Sequence, residues 1–383
     1  MSKLAFLVGV LISFVGVRAA DPVTLVRVPD GGIQPQVIVD AGGAAHLIYF
    51  KGEPGAGDVY YAKSTNGGAT WSKGIRVNSE PGSVIATGSI RGAQLALGKN
   101  GRAHVSWMGS KKTAPGGDHM KAPMLYARLN DQGSAFEPQK NVIADAYGLD
   151  GGGSVAADEK GNVYVAWHGN PNRDGEQNRR VYLARSKDEG KTFAREEAVD
   201  DKAGACGCCG IRISADERGV FILYRSAESK SDRNMTLLVS SDAAAFKAAK
   251  VDAWSVQTCP MSSSAILSGG RNEFIAWETQ RKVMFAAVDA KTGKLSATTT
   301  APLLAGAQAG QQKHPVLAVS SKGEVLFAWT EGAGWNQGGA AAWQVYDPAR
   351  KAVAAANGLK FGVPVWSFVA VFAKADGGFV VMY

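Results

Sequence analysis

The feature that most constrains this chain is an apolar hairpin, ending in an aromatic residue, that recurs roughly every 50 to 60 residues. Each copy has an apolar strand, a glycine-containing turn and a second strand that ends in Trp or Tyr. Seven copies occur, at Pro35–Tyr49, Arg91–Trp107, Gly153–Trp167, Gly210–Tyr224, Ser263–Trp277, His314–Trp329 and Phe368–Tyr383. Because one hairpin cannot bury its own apolar face, neighbouring copies are expected to stack on each other.

Most hairpins are followed by a third strand, such as Val59–Lys63 or Val181–Arg185, and a weaker fourth strand, such as Ile75–Val77. The 47 glycines and the near absence of helical periodicity favour short strands and tight turns. The pattern predicts an all-β chain, a six- or seven-bladed β-propeller of four-stranded antiparallel blades, because a ring of blades protects strand edges. The last hairpin has no chain left for outer strands, and Val23–Val28 can supply one and close the ring.

Residues 1–19 have the layout of a secretory signal peptide, with Lys3 before the apolar stretch Leu4–Val17. We expect cleavage after Ala19, a single propeller domain over residues 20–383, and a secreted or periplasmic location. The stretch is short for a membrane span and no later one approaches the length needed, so no integral membrane segment is expected in the mature chain. Without the signal peptide the formal charge of +8 falls to about +6, and its scattered basic residues argue against nucleic-acid binding.

Two segments between third and fourth strands share a pattern of Ser, an acidic or amide residue, Gly and an aromatic residue. Their defining residues are Ser64, Asn66, Gly68 and Trp71, and Ser186, Asp188, Gly190 and Phe193. Weaker copies contain Asp131, Gly133 and Phe136, and Ser240, Asp242 and Phe246. The segments resemble the Asp-box of bacterial sialidases and related propellers. The motif is structural, since the side chain caps the turn, glycine takes a positive φ and the aromatic packs between sheets.

The resemblance to sialidases implies a glycan-active scaffold and an exo-α-sialidase-like glycosidase as one possible activity. Sialidases of this kind carry Arg-Ile-Pro in the first blade, where this chain has Gly32–Pro35 and no arginine. A second resemblance, to exported bacterial sialidase-like propellers of uncharacterised function, rests on C-x-C-C at Cys206–Cys209 and W-x-x-x-x-C-P at Trp254–Pro260.

In a propeller, the loops that enter each innermost strand and those that leave each second strand lie on one side, which we call the mouth face. The residues predicted there are Gln34, Arg91, Asp150, Cys206–Cys209, Cys259, His314 and Trp366 in entering loops, and Phe50, Met108, His168, Arg225, Glu278 and Thr330–Glu331 in leaving loops. An arginine with a carboxylate pair suits glycosidic chemistry or an anionic ligand, which makes catalytic candidates of Arg91, Arg225, Glu278 and Glu331. The candidate ligand-binding residues are His168, Trp254, His314 and Trp366, with Trp335 as a further sugar-stacking platform.

All four cysteines of the chain, Cys206, Cys208, Cys209 and Cys259, fall in loops of two adjacent blades on the mouth face. One interpretation is one or two disulfides tying the blades together, as expected in an exported protein. A second is a thiolate site for Cu(I) or Zn(II), with Met261 or His314 as a further ligand. A third is a redox-active bond between Cys208 and Cys209.

Two functions follow as hypotheses. The first is an exported glycan-binding or glycoside-hydrolase-like propeller with its site at the channel mouth, for a glycan or a small anionic ligand. The second is a non-enzymatic binding module in which the cysteine cluster holds metal or fixes a surface for a protein partner.

Overall fold

The computed structural model describes residues 22–172, 174–200, 202–268, 273–307 and 311–383, so the predicted signal peptide lies outside the described residues. The described chain is all-β, with seven sheets arranged as the blades of a β-propeller. Its helical segments are short 3-10 turns at Pro29–Gly31, Lys99–Gly101, Pro115–Gly117 and His119–Lys121. No helix in these ranges has the length and apolar character needed to cross a membrane.

The seven blades follow one another in chain order. Blade 1 contains β2 (Ile33–Val39), β3 (Ala45–Lys51), β4 (Asp58–Ser64) and β5 (Ile75–Arg76); blade 2 contains β6 (Gln94–Leu97), β7 (Ala103–Met108), β8 (Met124–Arg128) and β9 (Lys140–Asn141); blade 3 contains β10 (Gly153–Ala157), β11 (Val163–Gly169), β12 (Arg180–Ser186) and β13 (Glu197–Ala198). Blade 4 contains β15 (Arg212–Asp216), β16 (Gly219–Ala227), β17 (Met235–Ser240) and β18 (Lys247–Asp252), with β14 (Gly204–Ala205) also paired to β16; blade 5 contains β19 (Ser264–Leu267), β20 (Glu273–Thr279), β21 (Lys282–Val288) and β22 (Thr299–Thr300). Blade 6 contains β23 (Gln312–Val319), β24 (Val325–Glu331), β25 (Gly339–Tyr346) and β26 (Ala352–Val363); blade 7 contains β27 (Ala370–Ala373), β28 (Phe379–Met382) and β1 (Val23–Val26).

The innermost strands form a closed ring, since each contacts the innermost strand of the next blade and β27 contacts β2. This arrangement confirms the predicted propeller and fixes the number of blades at seven. The innermost strands line a central cavity of about 330 Å³. All the loops that start these strands therefore meet at one end of the channel.

Blade 7 differs from the predicted four-stranded antiparallel blade, because it has three strands and β1 runs parallel to β28. The direction has a simple reason: β28 runs towards the mouth face, and β1 must end there too for the chain to enter β2 from the mouth. Beyond β1, the Arg27 guanidinium lies 4.0 Å from the Tyr383 ring centroid and donates a 2.6 Å hydrogen bond to the Gly362 carbonyl. The two ends of the described chain are thus held together across blades 6 and 7.

The aromatic residue that ends the second strand is buried in every blade. Trp107, Trp167, Trp277 and Trp329 are almost completely buried, as are Tyr49 and Tyr224. The indole N–H of Trp167 donates to the Ala146 carbonyl at 2.8 Å, so the ring is buried without losing its hydrogen bond. The recurring aromatic of the sequence is therefore a core residue between blades.

The two clearest Asp-box-like segments, of which the one at Ser186–Phe193 is complete, form tight turns on the face opposite the mouth. Asp188 Oδ1 accepts from Ser186 Oγ at 2.7 Å and from the Thr192 amide at 2.9 Å, and Gly190 has a φ of 79°. Phe193 packs edge-on against Tyr126, with ring centroids 4.9 Å apart. These contacts are structural.

The first segment uses the same geometry, with Asn66 Oδ1 accepting from the Thr70 amide at 3.0 Å and Trp71 packing against Phe372. The turn after β21 is also capped by an aspartate but with a shorter spacing, because Asp289 Oδ1 accepts from the amide of Thr292, three residues on, at 2.8 Å. The sequence pattern does not reveal this third turn, since it has no aromatic residue at the usual position.

Closure of the ring by β1 makes a matched pair of substitutions informative. Val23 is buried against blade 7, whereas its neighbour Thr24 is exposed. We expect Val23→Asp to lower the free energy of unfolding by about 3–5 kcal/mol, because it puts a charge in an apolar interface, and Thr24→Asp to change it by less than about 0.5 kcal/mol. Urea unfolding followed by tryptophan fluorescence measures both, and equal stabilities for the two variants would contradict the assigned closure.

Candidate functional site

Left-handed backbone at three strand starts shapes the mouth of the channel. Gln34, His314 and Trp366 have φ values of 54°, 51° and 58°, and the ladders of β2 and β23 shift register at Gln34 and His314. The side-chain Nε2 of Gln34 donates 2.8 Å hydrogen bonds to the carbonyls of Ala86 and Trp366. These bonds connect blades 1, 2 and 7, so the rim of the mouth is held by polar contacts.

An exposed tryptophan stands at this rim. Trp335, in the loop between β24 and β25, is 57% exposed and meets Trp366 edge to face, with ring centroids 6.5 Å apart. A Cβ on Gly88 would lie 2.9 Å from both the Trp335 ring and the Arg91 guanidinium. Trp335, Trp366 and Arg91 therefore face a common space at the end of the channel.

Arg91 is held in place by its neighbours in blades 2 and 3. Its Nε donates to the Asp150 carbonyl at 2.6 Å, its Nη2 to Asp150 Oδ1 at 2.7 Å, and its Nη1 to the Thr87 carbonyl at 3.0 Å. The half-exposed Asp150 carboxylate compensates the charge of Arg91. The pair thus offers both a donor and an acceptor to a ligand at the mouth.

Arg225 lies entirely inside the protein. Its Nε donates to Ser262 Oγ at 2.7 Å, and the remaining nitrogens donate to the carbonyls of Arg233 and Glu278. Trp254 covers the guanidinium at 4.9 Å, so this tryptophan packs on a buried cation. Burial lowers the pKa of Arg225, although the nearby Cys209 and Glu278 oppose the shift.

The two candidate glutamates are also buried, at 2% and 3% exposure for Glu278 and Glu331. Glu278 Oε1 lies 3.0 Å from Lys313 Nζ, and Glu331 Oε2 accepts from the Trp329 indole at 2.8 Å. Burial raises the pKa of both carboxyl groups. The structure brings Arg225, Glu278 and Lys313 together between blades 4, 5 and 6 and leaves Glu331 apart, in blade 6.

The two candidate histidines occupy different surroundings. His168 is fully buried in β11, and neither ring nitrogen has a hydrogen-bond partner among the described residues. His314 lines the central cavity, with its Nε2 2.6 Å from Ser89 Oγ and its Nδ1 unpartnered. Burial lowers the pKa of each to about 3, so both rings are neutral near pH 7.

The cavity below the mouth contains a cation that the sequence analysis did not single out. Arg212, the first residue of β15, lines the cavity, and its Nη1 donates to the Ile211 carbonyl at 2.7 Å. Within the described ranges no carboxylate lies within ion-pairing distance of this guanidinium. Burial lowers the pKa of Arg212 to about 10, which still leaves it charged near pH 7.

The four cysteines meet at the mouth end of blades 4 and 5. Cys208 and Cys259 form a disulfide across the two blades, with their Cα atoms 6.4 Å apart. Cys206 and Cys209 are free and buried, and the sulfurs of Cys206, Cys208 and Cys209 all lie within 4.8 Å of one another. A disulfide is thus shown, together with an unbonded pair of thiols beside it.

Sequence reasoning missed Arg212, Ser89 and Lys313 as site residues. Arg212 and Lys313 each precede or begin an innermost strand, so their position along the repeat is the signal that was available. Asp150 was placed on the mouth face but not paired with Arg91, because the pair joins two blades.

The buried, unpartnered His168 predicts a specific acid sensitivity. Because folding lowers the pKa of His168, the unfolded state binds a proton below pH 6.5 that the folded state does not. The free energy of unfolding is therefore unaffected by this histidine's titration above pH 6.5 and decreases as the pH falls towards 3. We expect wild-type protein to lose about 2 kcal/mol more stability than His168→Leu between about pH 7 and about pH 5. Urea unfolding of both proteins at each pH measures this, the neutral pH serving as the packing control. An equal loss in the two proteins would contradict the assignment.

Comparisons with known proteins agree with the fold at low sequence identity. A protein of unknown function from Dyadobacter fermentans is 15% identical, with 82% of this chain and 94% of that chain covered and a TM-score of 0.55. An α-L-arabinanase from Penicillium chrysogenum, solved with arabinobiose, is 15% identical over 84% of this chain and 95% of its own, with a TM-score of 0.51. A six-bladed fucose-recognising lectin from Aleuria aurantia is 11% identical over 88% and 96%, with a TM-score of 0.50.

No family model and no curated protein matches the sequence. The structural likeness, at identities of 15% or less, shows the fold alone. The sialidase-like subgroup indicated by the cysteine motifs stays a prediction. The chain is a seven-bladed β-propeller that shares its fold with glycan-related proteins.

Proposed function

We propose that this protein binds acidic glycans at the mouth of its central channel. Two observations carry the proposal: the Arg212 guanidinium in the cavity has no carboxylate partner among the described residues, and the exposed Trp335 meets the half-buried Trp366 at the mouth. Trp335 and Trp366 supply the surface for the sugar ring, and Arg212 the charge for its carboxylate.

The apolar part of the site lies on blades 6 and 7. The large apolar side chains that are exposed in the described chain are Leu303, Trp335, Phe361 and Val365. Leu303, Trp335 and Val365 lie in loops that lead to the mouth face, whereas Phe361 lies on the outermost strand of blade 6. Exposed apolar groups gathered on one face are typical of a binding surface, and an indole face suits the apolar side of a pyranose.

The charge of the cavity favours an anion. Arg212 has no carboxylate partner in the described part of the chain, and His314, which also lines the cavity, is neutral. A guanidinium that is out of bulk water and lacks a counter-ion gains strongly from a bidentate carboxylate. An acidic sugar therefore fits the cavity better than a neutral one.

Polar groups at the mouth are free to fix the orientation of a sugar. The buried Nδ1 of His314 has no hydrogen-bond partner among the described residues, while its Nε2 is held by Ser89. The Arg91–Asp150 pair presents a donor and an acceptor beside Trp335. Such groups around an apolar platform give specificity to small-molecule sites.

The geometry supports binding better than hydrolysis. Glycosidases commonly use two carboxyl groups that flank the scissile bond and reach the substrate. In this protein Glu278 and Glu331 are buried and bonded to Lys313 and Trp329. The arabinanase and the fucose-recognising lectin are propellers of similar fold that act on or recognise sugars, which is consistent with a glycan ligand.

The place of action in this proposal is outside the cytoplasm. The Cys208–Cys259 disulfide indicates an oxidising environment. The predicted signal peptide with cleavage after Ala19 supplies the route of export.

A pair of variants tests the binding proposal. Screening the mature protein on an array of glycans that contain uronic or sialic acids identifies a ligand, and calorimetry then measures its affinity. We expect Trp335→Ala to weaken binding by about tenfold through lost stacking, and Arg212→Gln to weaken it by about tenfold to a hundredfold. Arg212→Gln should leave the weaker binding of the neutral reduced sugar unchanged.

Phe361→Ala is the matched control, because Phe361 is also an exposed aromatic but lies on the outermost strand of blade 6. Its affinity should equal that of the wild type. If no acidic glycan binds to the folded protein, or if Arg212→Gln binds as well as wild type, the proposal fails.

A further inference from the structure

We infer that the four cysteines form a dithiol–disulfide relay, in which the exposed Cys208–Cys259 disulfide exchanges with the buried Cys206 and Cys209 thiols and can accept an electron pair from an external dithiol. This activity is separate from glycan binding and stands on different residues. It is carried by the contacts of the sulfurs, their graded burial and the surroundings of Cys209.

The sulfurs are in contact. Cys206 Sγ lies 3.5 Å from Cys208 Sγ and 3.5 Å from Cys209 Sγ, so it touches both the disulfide and the second thiol. The turn that arranges them is closed by the Cys209 amide, which donates to the Cys206 carbonyl at 3.2 Å. Gly207 allows the turn, since a Cβ there would lie 2.6 Å from the Arg179 guanidinium.

Burial divides the four sulfurs into an inner and an outer pair. Cys206 and Cys209 are buried, Cys208 is half-buried and Cys259 is exposed. An external thiol can therefore reach Cys259, while the inner pair is accessible only through Cys208. A disulfide that served only as a staple would not need two buried free thiols in contact with it.

A buried cation favours a thiolate at Cys209. Arg225 has no carboxylate among its hydrogen-bond partners, which are the Ser262 and Thr279 hydroxyls and the carbonyls of Arg233 and Glu278. Ser262 Oγ accepts from Arg225 and donates to Cys209 Sγ at 3.4 Å, which links the guanidinium to the sulfur. A thiolate there supplies the missing negative charge.

The acidity of the pair agrees with this arrangement. Burial by itself raises the pKa of Cys209, but the hydrogen bond with Cys206 and the charge of Arg225 outweigh it and bring the pKa to about 7. The hydrogen bond with Cys209, together with burial, raises the pKa of Cys206, so Cys206 keeps its proton in the resting state.

The exchange balances without an added oxidant or reductant. Cys206 passes its proton to the Cys209 thiolate, and its sulfur attacks Cys208, forming the Cys206–Cys208 bond while the electron pair of the broken bond leaves on Cys259. Cys209 then loses that proton to water or to the released thiolate and attacks Cys206, forming Cys206–Cys209 and releasing Cys208. The inner thiols, Cys206 and Cys209, have been oxidised to a disulfide, and the Cys208–Cys259 disulfide has been reduced to a dithiol.

The test uses the mature protein with one disulfide per chain, prepared by equilibration with glutathione buffers. The folded protein is exposed to iodoacetamide and quenched in acid. The thiols that remain are then labelled with a maleimide in denaturant, and the protein is digested with trypsin. Cleavage after Lys202, Arg212 and Lys250 separates the peptide that holds three cysteines from the one that holds Cys259. We expect Cys259 to be alkylated in the folded state, with the Cys206–Cys209 disulfide appearing at the same rate.

Cys206→Ser removes the attacking sulfur, so Cys259 should remain linked to Cys208 and its alkylation should be lost. Ser262→Ala keeps all four cysteines but cuts the link between Arg225 and Cys209, so exchange should become slower and its pH dependence should move upward. Circular dichroism and urea unfolding report whether each variant is folded, and the wild-type result stands without them.

Two outcomes would overturn the relay. In the first, Cys259 stays linked to Cys208 in the folded wild type while Cys206 and Cys209 are labelled only on unfolding, which would make the disulfide a static staple. In the second, the isolated protein carries a stoichiometric metal ion with all four thiols reduced, which would make the cluster a thiolate metal site. Neither outcome bears on glycan affinity, so the two proposals fail independently.

Discussion

The structure depends on one pairing, that of Val23–Val26 with Phe379–Met382. This pairing completes the seventh sheet, whose innermost strand β27 contacts β2 and so closes the ring of innermost strands. The functional contacts at the mouth join blades that are distant in sequence, and Ser89 with His314 is an example, 225 residues apart. Non-local contacts of this kind exist only if the ring is closed, so the mouth is a property of the whole chain.

Closure also decides which charges the protein can tolerate inside. Between blades 4, 5 and 6, Arg225 and Glu278 are buried and Lys313 is half-buried, and their polar groups are satisfied by carbonyls, hydroxyls and one ion pair. Such groups hold adjacent blades in one arrangement, because leaving any of them unpaired costs several kcal/mol. Arg212 and Cys209 differ from this network. Arg212 has no carboxylate partner among the described residues, and Cys209 lies beside the positive charge of Arg225.

The two proposals place two neighbouring sites with different chemistry at the mouth. One consists of Trp335, Trp366 and Arg212 around the channel, where an apolar platform and a free cation suit an acidic sugar. The other consists of the four cysteines at blades 4 and 5, where an exposed disulfide lies against buried thiols. A single scaffold positions both, because each is supplied by loops and strand starts on the mouth face.

The sequence by itself determined the seven hairpins, the closing strand, the turns at Asn66 and Asp188 and the gathering of the cysteines, because periodicity and turn chemistry are local. Only the tertiary structure decided that Arg225, Glu278, Glu331 and His168 are buried, that Arg91 is paired with Asp150, and that Arg212 has no carboxylate partner among the described residues. The reason is physical: a loop residue faces solvent or a neighbouring blade according to how the blades pack, and that packing is set by contacts across the ring.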